Sequence, residues 1–364
     1  MKWSIPIATI AGTVVKIHVT FLLLLAAVGM MYFAKGGAVV AAGALAFTGA
    51  LFLCVLLHEF GHIFAARAFG IRTPDVTLLP IGGLARLERI PEKPVQELIV
   101  ALAGPMVNVV IAGVLMAMLG LPAADTPRGL DFSSPVGLGQ RLMEINIALV
   151  IFNMIPAFPM DGGRVLRALL AMFLPYARAT AIASMIGQAI AGAGVVMALM
   201  WLHPMFFLIA LFIFFAARGE NEAVQTNEAL RHLTLADAMI TDFHTLPESG
   251  LLKDAADALI AGSQHDFPIL AADGSLAGIL TRGRLIEGLT HYGPEHPLVG
   301  LIFRDIPAVF PATPLKQAFE VLRALPSEVL PVRDTREQGV IGLLSAENIG
   351  ELLLLRNAIA EWKK

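Results

Sequence analysis

The sequence is poor in charge. Only 15% of its 364 residues are Asp, Glu, Lys or Arg, while 57% are hydrophobic. A soluble globular chain carries about 25% charged residues, so a wholly soluble protein is excluded. The mean hydropathy of +0.73 points to a polytopic membrane protein. There is no basic stripe, so no nucleic acid partner is expected. Cys54 is the only cysteine, which excludes an internal disulfide and leaves the redox compartment unread. It stands four residues before His58, on the same helical face, where a small packing residue is expected rather than a ligand. The first residues carry no signal-peptide pattern, so the first apolar run is expected to remain as a span. The apolar character is uneven: it dominates to about Arg218, and charge returns after Gly219. A membrane domain (1–218), a polar linker (219–232) and a soluble domain (233–364) are expected.

Within the apolar part lies His58-Glu59-Phe60-Gly61-His62, an H-E-x-x-H pattern. Residues four apart share a helix face, so His58 and His62 can grip one metal ion. Glu59 stands beside them, able to take a proton from a water activated by that ion. An ionisable group within a membrane helix is a functional candidate by default, because leaving it there without a task is costly.

Along the chain, 1–16 contains β-branched runs that suit a short strand or an interfacial segment. Six spans are expected, at 18–33, 38–69, 95–119, 142–156, 179–202 and 205–217. Residues 76–79 and 84–87 can pair as a hairpin around Pro80, Ile81, Gly82 and Gly83, or form an ordinary surface loop. The third span carries Gly104-Pro105 and Asn108, and the fourth carries Asn146 and Asn153. A polar loop (121–141) lies between them. Asp161, in Pro159-Met160-Asp161-Gly162-Gly163, is a candidate third metal ligand or a helix cap. Loops assigned to one side carry Arg67, Arg72, Arg86, Arg89, Lys93, Arg164, Arg167, Arg178 and Arg218. The other side has Lys35, Arg128 and Arg141. The positive-inside rule then places both termini in the cytoplasm. Beyond the linker a repeat is visible, with units at about 233–290 and 297–357. Asp242 matches Asp305, Leu252 matches Leu315 and Pro268 matches Pro331. Each unit reads as an α/β module, and Asp273-Gly274 is a hairpin turn.

Three motifs now stand in order: His58-Glu59-x-x-His62, Gly104-Pro105-x-x-Asn108 and Asn153-x-x-Pro156-x-x-Pro159-x-Asp161-Gly162. Together they resemble the site-2 proteases. The repeat resembles a tandem pair of cystathionine-β-synthase (CBS) domains, which one subgroup of that family carries at its C-terminus. The resemblance implies a polytopic α-helical membrane protein of about six spans with a short β-hairpin element, followed by an α/β tandem CBS domain. It implies one Zn2+ per chain on His58, His62 and Asp161, with Glu59 as the catalytic base. It implies intramembrane proteolysis of a single-span membrane protein, such as an anti-sigma factor or a membrane-tethered transcription factor, in a prokaryotic inner or plasma membrane. Asn108, Asn153, Gly82 and Gly83 are candidates for positioning the substrate, or for orienting groups around the site. CBS pairs of this type dimerise, regulate or bind adenine nucleotides. Thr281, Ser345 and Asn348 are the candidate nucleotide positions, although Arg284 replaces the usual acid after Thr281. The rival expectations are a CBS-regulated transporter and an inactive binder of membrane proteins.

Overall fold

The computed structural model describes residues 3–80, 82–86, 88, 93–120, 135–231, 233–334 and 339–362. The expectations for Ile81, Leu87, Arg89, Arg128, His232 and most of the 121–141 loop fall outside these residues. The chain divides into two compact units, Met1–Val224 and Gln225–Lys364.

The first unit combines helices with a small sheet. Strands β1 (Ser4–Ile10) and β2 (Thr13–His18) form a hairpin whose turn residues, Ala11 and Gly12, both have positive φ. That backbone matches the twist of paired strands. Helix α1 (Val19–Ala68) follows, with 50 residues. At 1.5 Å per residue it would be about 75 Å long if straight, against about 30 Å of hydrocarbon. It is broken at Gly36 and Gly37, where Gly37 has φ 74°, a conformation that glycine adopts without a Cβ penalty. Strands β3 (Asp75–Leu79) and β4 (Gly82–Arg86) come next, with Thr77 opposite Leu84. This hairpin is part of a larger sheet. β3 also pairs in parallel with β2, Val15 beside Val76, giving one sheet in the order β1-β2-β3-β4. Val15 and Val76 pack on Phe60 and Ile63 of α1. The sheet thereby lies against the turns of α1 that carry the histidines.

Helices α2 (Pro94–Leu119), α3 (Pro135–Asn153), α4 (Asp161–Ala171), α5 (Tyr176–Met200) and α6 (Pro204–Leu230) complete this part of the chain. Among the described residues, four helices are long and apolar enough to cross a membrane: α1, α2, α5 and α6. Between α3 and α4 the chain turns through 154–160, as its prolines require. The segment 219–232 is helical through Leu230, and the division between units falls inside α6.

The second unit is built from strands β5 (Leu246–Pro247), β6 (Phe267–Leu270), β7 (Leu276–Leu280), β8 (Val329–Arg333) and β9 (Val340–Ser345). Its helices are α7 (Leu252–Ala261), α8 (Arg282–Tyr292), α9 (Leu315–Ala324) and α10 (Ala346–Trp362). The strand–turn–strand–helix order recurs in β6-β7-α8 and β8-β9-α10, as the repeat implies. Asp273 turns the first hairpin by accepting from Ser275 N–H at 2.9 Å. The halves exchange strand contacts, with Ile240 bridging Leu343 and Phe303 bridging Ile279. Asp266, 2% exposed, joins them further. It accepts from the N–H groups of Arg282 (2.9 Å) and Glu328 (2.8 Å) and from Ser327 Oγ (2.8 Å).

Candidate metal centre

His58 and His62 lie one helical turn apart on α1, and both are buried. Each ring is held at its inner nitrogen. His58 Nδ1 donates to Asn108 Oδ1 (2.5 Å), and His62 Nδ1 donates to the Val100 carbonyl (2.7 Å). Both partners are oxygen acceptors, so both Nδ1 atoms carry the hydrogen. Asn108 Nδ2 in turn donates to Asn146 Oδ1 (2.7 Å), and Asn146 Nδ2 to the Leu142 carbonyl (2.7 Å). This relay fixes the orientation of each amide.

The outer nitrogens therefore present lone pairs, and they face each other. His58 Nε2 and His62 Nε2 are 3.1 Å apart, and Asp161 Oδ2 is 3.2 Å from each. The ligand atoms of His58, His62 and Asp161 all lie within 4.8 Å of one another. Three electron-pair donors converging in a buried place repel one another unless a cation stands between them. Two imidazoles and one carboxylate with room for a fourth group match the ligand set of a catalytic zinc site. The residues present fit such an ion.

The cradle is closed from behind by Gly104 of α2. A Cβ there would collide with His62 Nε2 and stand 2.7 Å from His58 Nε2. Glycine at Gly104 therefore leaves clear the space beside the two outer ring nitrogens. In front, His58, Glu59, His62 and Asp161 border a cavity of about 410 Å³. Gly82 and Gly83 of β4 line it, as do Asn153, Arg164 and Phe212. A Cβ on Gly83 would approach Glu59 Cγ at 2.5 Å, so this edge of the sheet lies directly against the acid.

The structure thus brings together His58, Glu59, His62, Asp161, Asn153, Gly82 and Gly83. Asn108 is fully buried behind His58 with both polar atoms engaged. It orients a ring and has no free group for a substrate. Cys54 is buried and stands outside the ligand group. Arg164 lines the cavity, and Arg167 is fully buried rather than a loop charge as expected, because Glu97 and Glu220 neutralise it. The candidate nucleotide positions serve helix ends. Thr281 caps α8 by accepting from Arg284 N–H (3.4 Å), and Ser345 accepts from Asn348 N–H (3.1 Å). Sequence reasoning missed Glu97 and Val100, and it named Gly104 and Arg167 without the contacts they make. The available signal was the spacing of Glu97, Gly104 and Asn108, polar or small residues on one stripe of an apolar helix.

A model of peptidase family M50 matches residues 46–134 and 128–194, and a CBS domain model matches residues 235–291. A Synechocystis sp. protein, sll0528, a candidate zinc metalloprotease, is 31% identical over 314 residues, covering 82% of this chain and 80% of its own. Zinc metalloprotease MJ0392 of Methanocaldococcus jannaschii is 29% identical over 302 residues, 82% of this chain and 85% of its own. Among solved structures, the site-2 protease from Methanocaldococcus jannaschii is 33% identical. It covers 60% of this chain and 95% of that one, with a TM-score of 0.44.

Proposed function

The chain belongs to peptidase family M50, the site-2 protease type of zinc metalloprotease, and from its site we propose that it hydrolyses peptide bonds within transmembrane segments of single-span membrane proteins. The observation that carries the proposal is the convergence of His58, His62 and Asp161 in the cavity that Glu59 borders. His58, His62 and Asp161 are the ligands of one zinc ion. Zinc bound there would polarise a scissile carbonyl and bring the pKa of a water to about 7.

The chain's own groups do the rest. Asn108 and Val100 keep the hydrogens on the inner nitrogens, so the outer ones remain available as ligands. Glu59 takes a proton from the attacking water as its oxygen bonds the carbonyl carbon, and passes it to the amine nitrogen as the C–N bond breaks. A transmembrane helix hides its peptide bonds in its own ladder and must unwind before attack. β4 ends the sheet order and lines the cavity, so its outer edge receives the extended substrate by strand addition. Asn153, Gly82 and Gly83 border the path.

Six crossings follow if the two halves of α1 and the 19-residue α3 span alongside α2, α5 and α6. Both termini then share the cytoplasmic side of a prokaryotic inner or plasma membrane. Residues 1–218 form the protease domain. Residues 233–364 form a CBS pair that modulates it, through dimerisation or through an adenine nucleotide. The protein substrate is of the anti-sigma or membrane-tethered transcription factor type. The transporter alternative has no support among relatives that are zinc metalloproteases.

The test is cleavage of a single-span membrane protein reconstituted with the full chain in lipid vesicles, with products mapped by mass spectrometry. Cleavage inside the hydrophobic segment is expected, lowered about 10²–10⁴-fold in Glu59→Gln, with zinc content unchanged. Uncut substrate with zinc-loaded wild-type protein would favour the inactive-binder alternative.

A further inference from the structure

Four positions of α2 fall on one face: Glu97, Val100, Gly104 and Asn108, at steps of three and four residues. Three of them serve the histidines directly. Val100 holds His62, Asn108 holds His58, and Gly104 leaves room between the rings. Glu97, one turn earlier, reaches α4 instead. Its Oε1 accepts from Arg167 Nε at 2.7 Å and lies 2.6 Å from a second guanidinium nitrogen, Nη2. Arg167 is fully buried, and Glu97 is 2% exposed.

Arg167 gathers the surroundings of Asp161. Its guanidinium lies 4.9 Å from the ring centre of Phe158, in the turn that leads into Asp161, and 5.0 Å from that of Tyr176 at the start of α5. Its remaining arm donates to Glu220 Oε1 of α6 at 2.7 Å. Asp161 opens α4 six residues before Arg167, about 9 Å along the axis. A rigid helix carries any displacement at Arg167 to Asp161. Metal ligation tolerates only about 0.2 Å.

We infer that Arg167 is a positioning residue for Asp161, registering α4 on α2 through Glu97, so that all three metal-binding side chains are referenced to one stripe of α2. The inference rests on the assignment of Asp161 as a zinc ligand. Arginine suits the task because its planar fork fixes direction as well as charge. Lysine keeps the charge and loses the fork.

The experiment measures zinc affinity by chelator competition and the visible absorption of the cobalt-loaded protein, on the full chain in detergent. Variants are Arg167→Lys, Glu97→Gln and, as a control for packing alone, Ser184→Ala. Ser184 donates to the Ala217 carbonyl of α6 at 2.6 Å and accepts from Gln188 within α5 at 3.0 Å, so its hydrogen bonds join α5 and α6. Arg167→Lys and Glu97→Gln are expected to weaken zinc about 10-fold or more, as outer partners of metal ligands do, and to shift the cobalt bands. Ser184→Ala is expected to lower the melting temperature while leaving both readouts as in wild type. Wild-type affinity and an unchanged cobalt spectrum in folded Glu97→Gln, which keeps the side-chain shape and decides the matter even where Arg167→Lys does not fold, would overturn the inference. Zinc loss in Asp161→Ala with retention in Glu97→Gln would overturn it while sparing the ligand assignment. Retention of zinc in Asp161→Ala would overturn both.

Discussion

Gly104→Ala places a methyl group against the outer nitrogens of both proposed histidine ligands. The new Cβ would collide with His62 Nε2 and stand 2.7 Å from His58 Nε2, against about 3.4 Å for an ordinary contact. His58 would have to retreat by about 0.7 Å, yet its Nδ1 is tied to Asn108 at 2.5 Å. That displacement is more than three times the ~0.2 Å a metal site tolerates. The rings can instead swing aside, which keeps the fold and disperses the three ligands. Either response lowers zinc affinity, by about 10–100-fold on the scale of disturbed support for metal ligands. The fold itself gains about 1 kcal/mol of helix propensity from Gly→Ala, which offsets part of the strain. The assay is zinc affinity by chelator competition, read beside the melting temperature of the metal-free protein in detergent. Lost affinity with a cooperative melt is the expected result. A variant that binds zinc as tightly as wild type would refute the geometry of the cradle.

Other outcomes follow from the same contacts. Asn108→Ala frees His58 Nδ1 and leaves Asn146 Oδ1 without its donor, so zinc affinity is expected to fall about 10–100-fold, measured by the same competition. Gly83→Ala brings a Cβ within 2.5 Å of Glu59 Cγ. Cleavage in vesicles is expected to fall about 10²-fold through displacement of the base, while zinc content stays at the wild-type level. In the second unit, Asp266→Ala removes a buried carboxylate that satisfies two N–H groups and a hydroxyl. A loss of about 3 kcal/mol is expected from such charge-assisted bonds, read from denaturant unfolding of the second-unit transition. Exhaustive chelation is expected to abolish cleavage, and added zinc to restore it.

The candidate metal site was partly legible because helical spacing is local. His58 and His62 four residues apart declare a shared face, and Glu59 between them declares its neighbourhood. Asp161 was ambiguous by sequence, since a ligand and a helix cap look alike there, and the fold sets it 3.2 Å from both rings. Gly104 stood in the sequence only as part of a motif, because nothing in the chain says which helix a glycine will face. Arg167 counted as a surface charge for the same reason: its partners, Glu97 and Glu220, are 70 and 53 residues away. The parallel pairing of β2 with β3 closes across the whole of α1, and no local pattern announces a partner that distant. In the second unit the repeat made the α/β modules readable, since an apolar match such as Leu252 with Leu315 is a core position in both halves. The caps at Thr281 and Ser345 were visible as residue types, but their bonds to the following helix belong to three-dimensional geometry.

The most direct test of the site is the zinc content of purified protein, wild type beside Asp161→Ala. His58 and His62 alone could be a chance pair on a helix, and Asp161 is the proposed third ligand, which the fold brings to them. One zinc per chain in wild type, with loss in Asp161→Ala and a retained melt of the metal-free protein, is the predicted result. Full zinc occupancy in Asp161→Ala would contradict the three-ligand centre on which the proposed proteolysis depends.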